Sequence, residues 1–264
     1  MIQVTRKFRH ALVLLAVASA VAACGSSAAT SDGGGGGKAA SPQRGGTVTV
    51  LERTDFAGSW PTGLDPATST TGSANAPQMN AIYGGLFVLS ADADGKNAKV
   101  KPDLADSYEL APDGTSLSIK LRPGVTFSDG TPFDAEAVAF NFKRDVTSSC
   151  SCAPKWPLAA TDPITTQGTD TVVLTFSRPY AAVVNAFPVS NANWIVSPTA
   201  LQKLGPDAFK VTPVGAGPFT VESDTLNSEL VLVRNEKYFK KGQPYLDKLV
   251  IKSIEGDQPA CSAW

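Results

Sequence analysis

Thr47-Val48-Thr49-Val50-Leu51 alternates polar and apolar side chains, the period of a half-buried β-strand, and it begins directly after the Gly45-Gly46 turn. Farther along, Met79, Ile82 and Leu86 stand at helical spacing, with Asn75 placed to cap the helix and Pro77 to begin it. The sharpest local signal is a hairpin. Tyr108 to Leu110 leads into a Pro112-Asp113-Gly114 turn, after which Leu117, Ile119 and Leu121 recur at period two. Tight turns come next at Pro123-Gly124 and Asp129-Gly130. Asp134 then caps a helix expected from Ala135 to about Val146, with Val138, Phe142 and Val146 along one face as a core stripe.

Val172, Leu174 and Phe176 predict a further strand, and Pro179 to Phe187 a short helix. Ser197-Pro198 starts another helix, which carries Leu201 and Leu204. Leu230 to Val233 and Leu249 to Ile254 are the last strand candidates. Helices and strands interleave irregularly, so the fold class is α/β, mixed α+β, rather than a pure class. Val214-Gly215-Ala216-Gly217-Pro218-Phe219 fails as a phosphate cradle, because no Gly-Lys-Ser/Thr comes after it and Pro218 removes an amide where a phosphate loop needs donors. Its glycines are better read as positions of positive φ and close backbone approach.

Ahead of this body lies a stretch of another character. Arg6, Lys7 and Arg9 precede an apolar run from Ala11 to Val21, which is too short to span a bilayer comfortably and is flanked like a secretory signal. Val21-Ala22-Ala23-Cys24 fits a bacterial lipobox. Residues 1–23 therefore read as a signal peptide, with Cys24 as the acylated new N-terminus; the alternative is a plain secretory signal with a chance cysteine. Gly25 to Arg44 is nearly all Gly, Ser, Ala and Thr. Residues 24–44 thus form a lipidated flexible linker whose reach grows as roughly 5–6 Å times the square root of its length. The expected location is the extracytoplasmic face of the membrane, periplasmic or cell-surface, with the lipid anchor at Cys24.

Composition narrows the chemistry. Removing Arg6, Lys7 and Arg9 takes the 23 basic residues to 20 against 24 acidic ones, so no basic field exists for nucleic acid. The single histidine, His10, lies in the leader. Without imidazole the body lacks the general base of Ser-His-Asp or Cys-His hydrolysis, and the commonest transition-metal ligand. A carboxylate-only hydrolase stays open in principle, although nothing in the sequence pairs two acids. Cys150 and Cys152 can form a small loop, hold a soft metal weakly or sit as thiols in a turn; a closed zinc site lacks two further ligands, so they read as structural. No metal site or cofactor is expected.

An ordered series of segments resembles the family 5 solute-binding proteins of ABC importers, the oligopeptide, dipeptide and nickel class. These segments are Gly45-Gly46-Thr47-Val48-Thr49-Val50, Leu64-Asp65-Pro66, Ile82-Tyr83-Gly84-Gly85-Leu86, Pro102-Asp103-Leu104-Ala105-Asp106-Ser107-Tyr108 and Leu121-Arg122-Pro123-Gly124-Val125-Thr126-Phe127-Ser128-Asp129-Gly130-Thr131-Pro132-Phe133. Pro213 to Phe219 and Arg234-Asn235-Glu236-Lys237-Tyr238-Phe239 complete it.

The resemblance implies a two-lobed periplasmic-binding-protein-like fold that closes on a peptide or similar small polar solute and delivers it to an ABC permease, with no enzymatic step. Residues 45–264 are then the first lobe. Similar proteins are longer, and here Glu255-Gly256-Asp257-Gln258 runs into Pro259-Ala260-Cys261-Ser262-Ala263-Trp264; a shifted frame or damaged gene end, with the second lobe missing, is the expectation. In resembling proteins the loop after Leu-Asp-Pro faces the cleft, which makes Thr71, Ser73 and Asn75 candidate ligand-binding side chains, or else ordinary loop and capping residues. Trp194 can wall a ligand side chain or sit in the core. A surface lipoprotein with a structural or adhesive role shares the same leader and tether.

Overall fold

The computed structural model describes residues 42–53, 60–92, 94–148, 150 and 153–254, without the side chains of residues 72 and 73. Strand β1 (Thr47–Arg53) runs parallel to β10 (Lys248–Ile254), and antiparallel β9 (Glu229–Arg234) and β8 (Phe219–Thr225) extend the sheet in the order β1-β10-β9-β8. A second sheet is antiparallel throughout, in the order β4 (Ala105–Leu110), β5 (Ser116–Leu121), β7 (Thr171–Thr175) and β6 (Ile164–Gln167). Between them in sequence, β2 (Phe87–Ala91) and β3 (Ala98–Pro102) pair as a two-stranded ribbon.

Each four-stranded sheet buries one face under helices. On β5 and β7, Leu117, Ile119, Val172 and Leu174 point inward at period two and meet Val138 and Phe142 of α2 (Ala135–Asp145). The Asp134 carboxylate accepts from the Ala137 N–H at 2.9 Å, so the expected cap starts that helix. Phe142 lies 5.9 Å from Phe187 and 5.2 Å from Trp156, ring to ring, and burial of a side chain this size stabilises by roughly 1.5–3 kcal/mol. The second core joins Leu230, Leu232 and Ile251 of the mixed sheet to Met79 and Ile82 of α1 (Ala76–Tyr83). Phe209, at the end of α4 (Pro198–Phe209), closes it.

Several expectations need correction. The predicted helix from Pro179 shrinks to one turn, α3 (Val183–Ala186), succeeded by a 3-10 turn Phe187–Val189. In α4 the Ser197 hydroxyl caps Ala200 N–H at 3.1 Å as expected, but Gly205 breaks the helix at φ 75° ahead of Pro206, and Leu204 faces solvent. Strand β1 is more exposed than its alternation predicts: Val48 is 41 % and Val50 36 % accessible. Among the described residues it sits at the sheet edge, paired with β10 alone, and an edge strand gets half the cover of a central one.

Buried asparagines tie the two cores together. Asn141 of α2 holds both main-chain groups of Val196, accepting from its N–H at 3.1 Å and donating to its carbonyl at 2.9 Å. Asn193 does the same for Phe87, at 2.9 and 3.0 Å. Asn235 donates to the Gly217 carbonyl at 2.8 Å. Each amide carries one donor group and one acceptor, which is what a short unpaired backbone segment needs when water is excluded.

Candidate functional site

The Leu64-Asp65-Pro66 turn is held from three helices. Leu64 N–H donates to the Lys210 carbonyl just past α4 at 2.8 Å, and its own carbonyl accepts from the Tyr83 hydroxyl of α1 at 2.7 Å. Asp65 shapes the chain on its C-terminal side: its Oδ1 accepts from Ala67 N–H at 3.1 Å, and its carbonyl accepts from Thr68 and Ser69 N–H. The other carboxylate oxygen pairs with Arg144 Nη2 of α2 at 2.7 Å. A turn anchored this way presents the next residues, Thr68 to Asn75, as a loop on a fixed base.

The helix that follows the loop, α1, reaches the parallel pair β1 and β10. In open sheets with parallel strands, the crevice beyond the carboxyl ends of those strands is where ligands settle. The ends of β1 and β10 come together at Arg53 and Ile254, and Gln78 in the first turn of α1 donates to Glu52 Oε2 of β1. Burial raises the Glu52 carboxyl above its usual range, a shift that the Gln78 hydrogen bond opposes.

Within the loop, the side chains divide into two sets. Thr68 and Thr70 face solvent, Thr71 is half-buried, and Ser69 and Asn75 are buried. Asn75 occupies the N-cap position of α1 but makes no capping hydrogen bond with its side chain; its Nδ2 donates instead to Thr71 Oγ1 at 2.6 Å. Ser69 and Thr71 share a hydroxyl contact at 3.1 Å. Thr71 and Asn75 therefore shape the loop from inside, while Thr68 and Thr70, which no pattern in the sequence distinguishes, form its outer surface. The Ser73 side chain and Cys24 lie outside the described residues.

Trp194 takes the other of the two places open to it. It is 1 % accessible in the second core and donates its indole N–H to Asn80 Oδ1 at 2.8 Å.

The Gly215–Gly217 segment behaves as a packing site. A Cβ on Gly215 would meet the Ile82 carbonyl at 2.4 Å, and one on Gly217 would meet Gly84 N at 2.6 Å. Neither residue has positive φ, so close approach alone explains them. The Gly217 N–H is already bonded to the Ile82 carbonyl at 2.9 Å, which removes the donor a phosphate would use. Cys150 is buried and disulfide-bonded, in keeping with a structural role. Among the described residues, no three His, Cys, Asp or Glu side chains gather as a metal would need, and no helix is long and apolar enough to cross a membrane.

Two helix-covered four-stranded sheets and a polar loop anchored from three helices make up the described fold. Residues 99–263 match the model described as bacterial extracellular solute-binding proteins, family 5 Middle, and the chain belongs to that family. Among curated relatives, the glutathione-binding protein GsiB of Shigella flexneri serotype 5b (strain 8401) is 36% identical over 201 residues, covering 73% of this chain and 36% of the relative. GsiB of Escherichia coli (strain K12) is 35% identical over the same coverage. The chain thus spans about 36% of the length of these relatives.

Solved structures agree on the fold. The binding protein AgaA of A. tumefaciens R10, in complex with agropinic acid, aligns with TM-score 0.65 at 28% identity, covering 79% of this chain and 40% of its own. DppA of Helicobacter pylori, in complex with peptide STSA, aligns with TM-score 0.67 at 23% identity, covering 84% of this chain and 45% of its own.

Proposed function

We propose that this chain contributes the first lobe of an extracytoplasmic substrate-binding lipoprotein of an ABC importer, which captures peptides or similar small polar solutes. Membership of the solute-binding family carries the proposal. The Thr68–Asn75 loop supplies one wall of the cleft; Thr68 and Thr70 offer hydroxyls to a ligand backbone, Thr71 and Asn75 hold the loop that carries them, and Ser73 is a further candidate for the ligand. Binding without turnover suits such a wall, since hydroxyls and amides at a fixed loop orient a polar ligand but offer no poised general base. Residues 1–23 direct export, Cys24 carries the lipid, residues 24–44 are the tether and the solute-binding body begins at Gly45.

Capture by closure requires an opposing surface that contacts the same ligand, because only a ligand that favours the closed form shifts the equilibrium toward it. The test joins residues 45–254 to the second lobe of a family relative. Glutathione and short peptides are then screened for a rise in melting temperature, with a Thr68→Val, Thr70→Val double variant as control. A ligand-dependent rise that the double variant loses supports the proposal, and no rise with any solute overturns it. For the anchor, Cys24→Ser expressed in a bacterial host should move the protein from the membrane fraction to the soluble extracytoplasmic fraction.

A further inference from the structure

We propose that Asp65, Arg144 and Asp145 form a buried proton-binding site, in which the Asp145 carboxyl holds one proton at neutral pH and leaves the cluster without net charge. Two carboxyl groups lie near one guanidinium here. Asp65 and Asp145 are each 1 % accessible, and Arg144, in the last turn of α2 with its side chain 21 % accessible, pairs with Asp65. Charges in such surroundings persist only when paired, and a second carboxylate beside a single cation has nothing to balance it.

Hydrogen bonding separates the two acids. Asp65 has the ion pair at 2.7 Å and accepts from the Ala67 N–H at 3.1 Å. Asp145 Oδ2 is buried with no hydrogen-bond partner. Asn191 Oδ1 is likewise a buried acceptor with no partner, on a turn that packs against α2 and whose Nδ2 donates to the Pro66 carbonyl at 3.3 Å. Arg144 Nη1, in the same cluster, is a buried donor with no partner, so charge balance rather than a shortage of donors favours the proton on Asp145. Burial, reinforced by the negative charge of Asp65 and opposed by Arg144, pushes the Asp145 carboxyl well above the usual carboxylate range.

Among the described residues, the groups around the cluster do not supply a second cation; Lys155, beside the Trp156 that packs on Phe142 of α2, is exposed. From α1 the buried Tyr83 phenol contributes no positive charge, and its hydroxyl is committed to the Leu64 carbonyl. Strands β6 and β7 and the Asn191–Asn193 turn carry no titratable side chains. On α2, Lys143 is exposed and Glu136 lies in the opposite end turn; on α4, Lys203 and Asp207 are exposed and Lys210, just beyond it, pairs with Asp207. Cys150 is disulfide-bonded and does not titrate.

The site makes folding take up a proton. With the folded pKa raised, the stabilisation is complete below the unfolded aspartate value of about 3.9 and is lost as pH rises toward the folded value. In the full chain, the folding equilibrium constant of wild type should therefore fall by about tenfold per pH unit relative to Asp145→Asn across that window. Asparagine keeps the shape of the neutral acid and cannot titrate. The second measurement needs no variant: infrared spectra at neutral pH with isotope-labelled aspartate should contain the carbonyl band of a protonated acid. Asp65→Asn should abolish that band, because Asp145 then becomes the counter-ion of Arg144. The proposal is overturned by absence of the band in wild type, by its persistence in Asp65→Asn, or by parallel pH profiles for wild type and Asp145→Asn.

Discussion

Asn193→Ala removes the one side chain that satisfies both main-chain groups of Phe87. Its Oδ1 accepts from the Phe87 N–H at 2.9 Å and its Nδ2 donates to the Phe87 carbonyl at 3.0 Å, and both residues are buried. Alanine leaves a donor and an acceptor stranded away from water, and each such group costs about 1–3 kcal/mol. Some relaxation is available because Asn193 also accepts from Leu86 N–H through its own carbonyl, a bond the substitution keeps. The expected loss is therefore about 2–4 kcal/mol, a large part of the ~5–15 kcal/mol typical of a folded domain. At about 2–4 °C per kcal/mol, the melting temperature should fall by roughly 5–15 °C. Urea unfolding monitored by tryptophan fluorescence suits the assay, because Trp194 is the next residue and lies in the second core while Phe87 lies in the first. A loss below about 0.5 kcal/mol would refute the argument that these bonds join the cores, since surface changes alone reach that size.

Other outcomes test separate parts of the structure. Gly217→Ala should destabilise by about 2–3 kcal/mol in the same unfolding assay, because the new Cβ meets backbone atoms of Ile82 and Gly84 at 2.6–2.7 Å; Gly168→Ala, at φ 63° but in open space, should lose only about 1–2 kcal/mol. Asp92, bonded by the Asn97 N–H and side chain and by the Lys96 N–H, has its carboxyl lowered to about 2. Its stabilisation is present above the unfolded aspartate value of about 3.9 and is lost as pH falls toward 2, so NMR titration should find a midpoint near 2 and Asp92→Ala should flatten stability across that acid window.

Local patterns were legible where the cause was local. The Asp134 and Ser197 caps, the β4–β5 hairpin around Asp113-Gly114 and the inward alternation of β5, β7 and β9 were all readable, because each depends on residues within a few positions of one another. The β2–β3 ribbon was not: Phe87–Ala91 lacks apolar alternation, Ala98–Pro102 alternates with Lys99 and Lys101 over only five largely exposed residues, and they are strands because they pair with each other. Strand β6 was missed for a similar reason, being four residues long and held by β7. At the candidate site, sequence located the loop after Leu64-Asp65-Pro66 but could not tell its inner face from its outer one. Thr68, Thr70 and Thr71 are the same residue type, and only the packing of the turn on α1, α2 and α4 sets which of them meets water.

The amino-acid sequence by itself determined the kinds of element, most of their starts and stops, the absence of imidazole from the body and the family to which the chain belongs, because all of these are written in residue type and short spacing. Tertiary structure decided what lies far apart in sequence and close in space. Asp65 meets Arg144 across 79 positions, Asn193 serves Phe87 across 106, and Trp194 turns to Asn80 instead of a cleft. Such pairings arise from how two helix-covered sheets exclude water from particular polar groups, and exclusion of water is a property of the packed chain rather than of any short stretch of it.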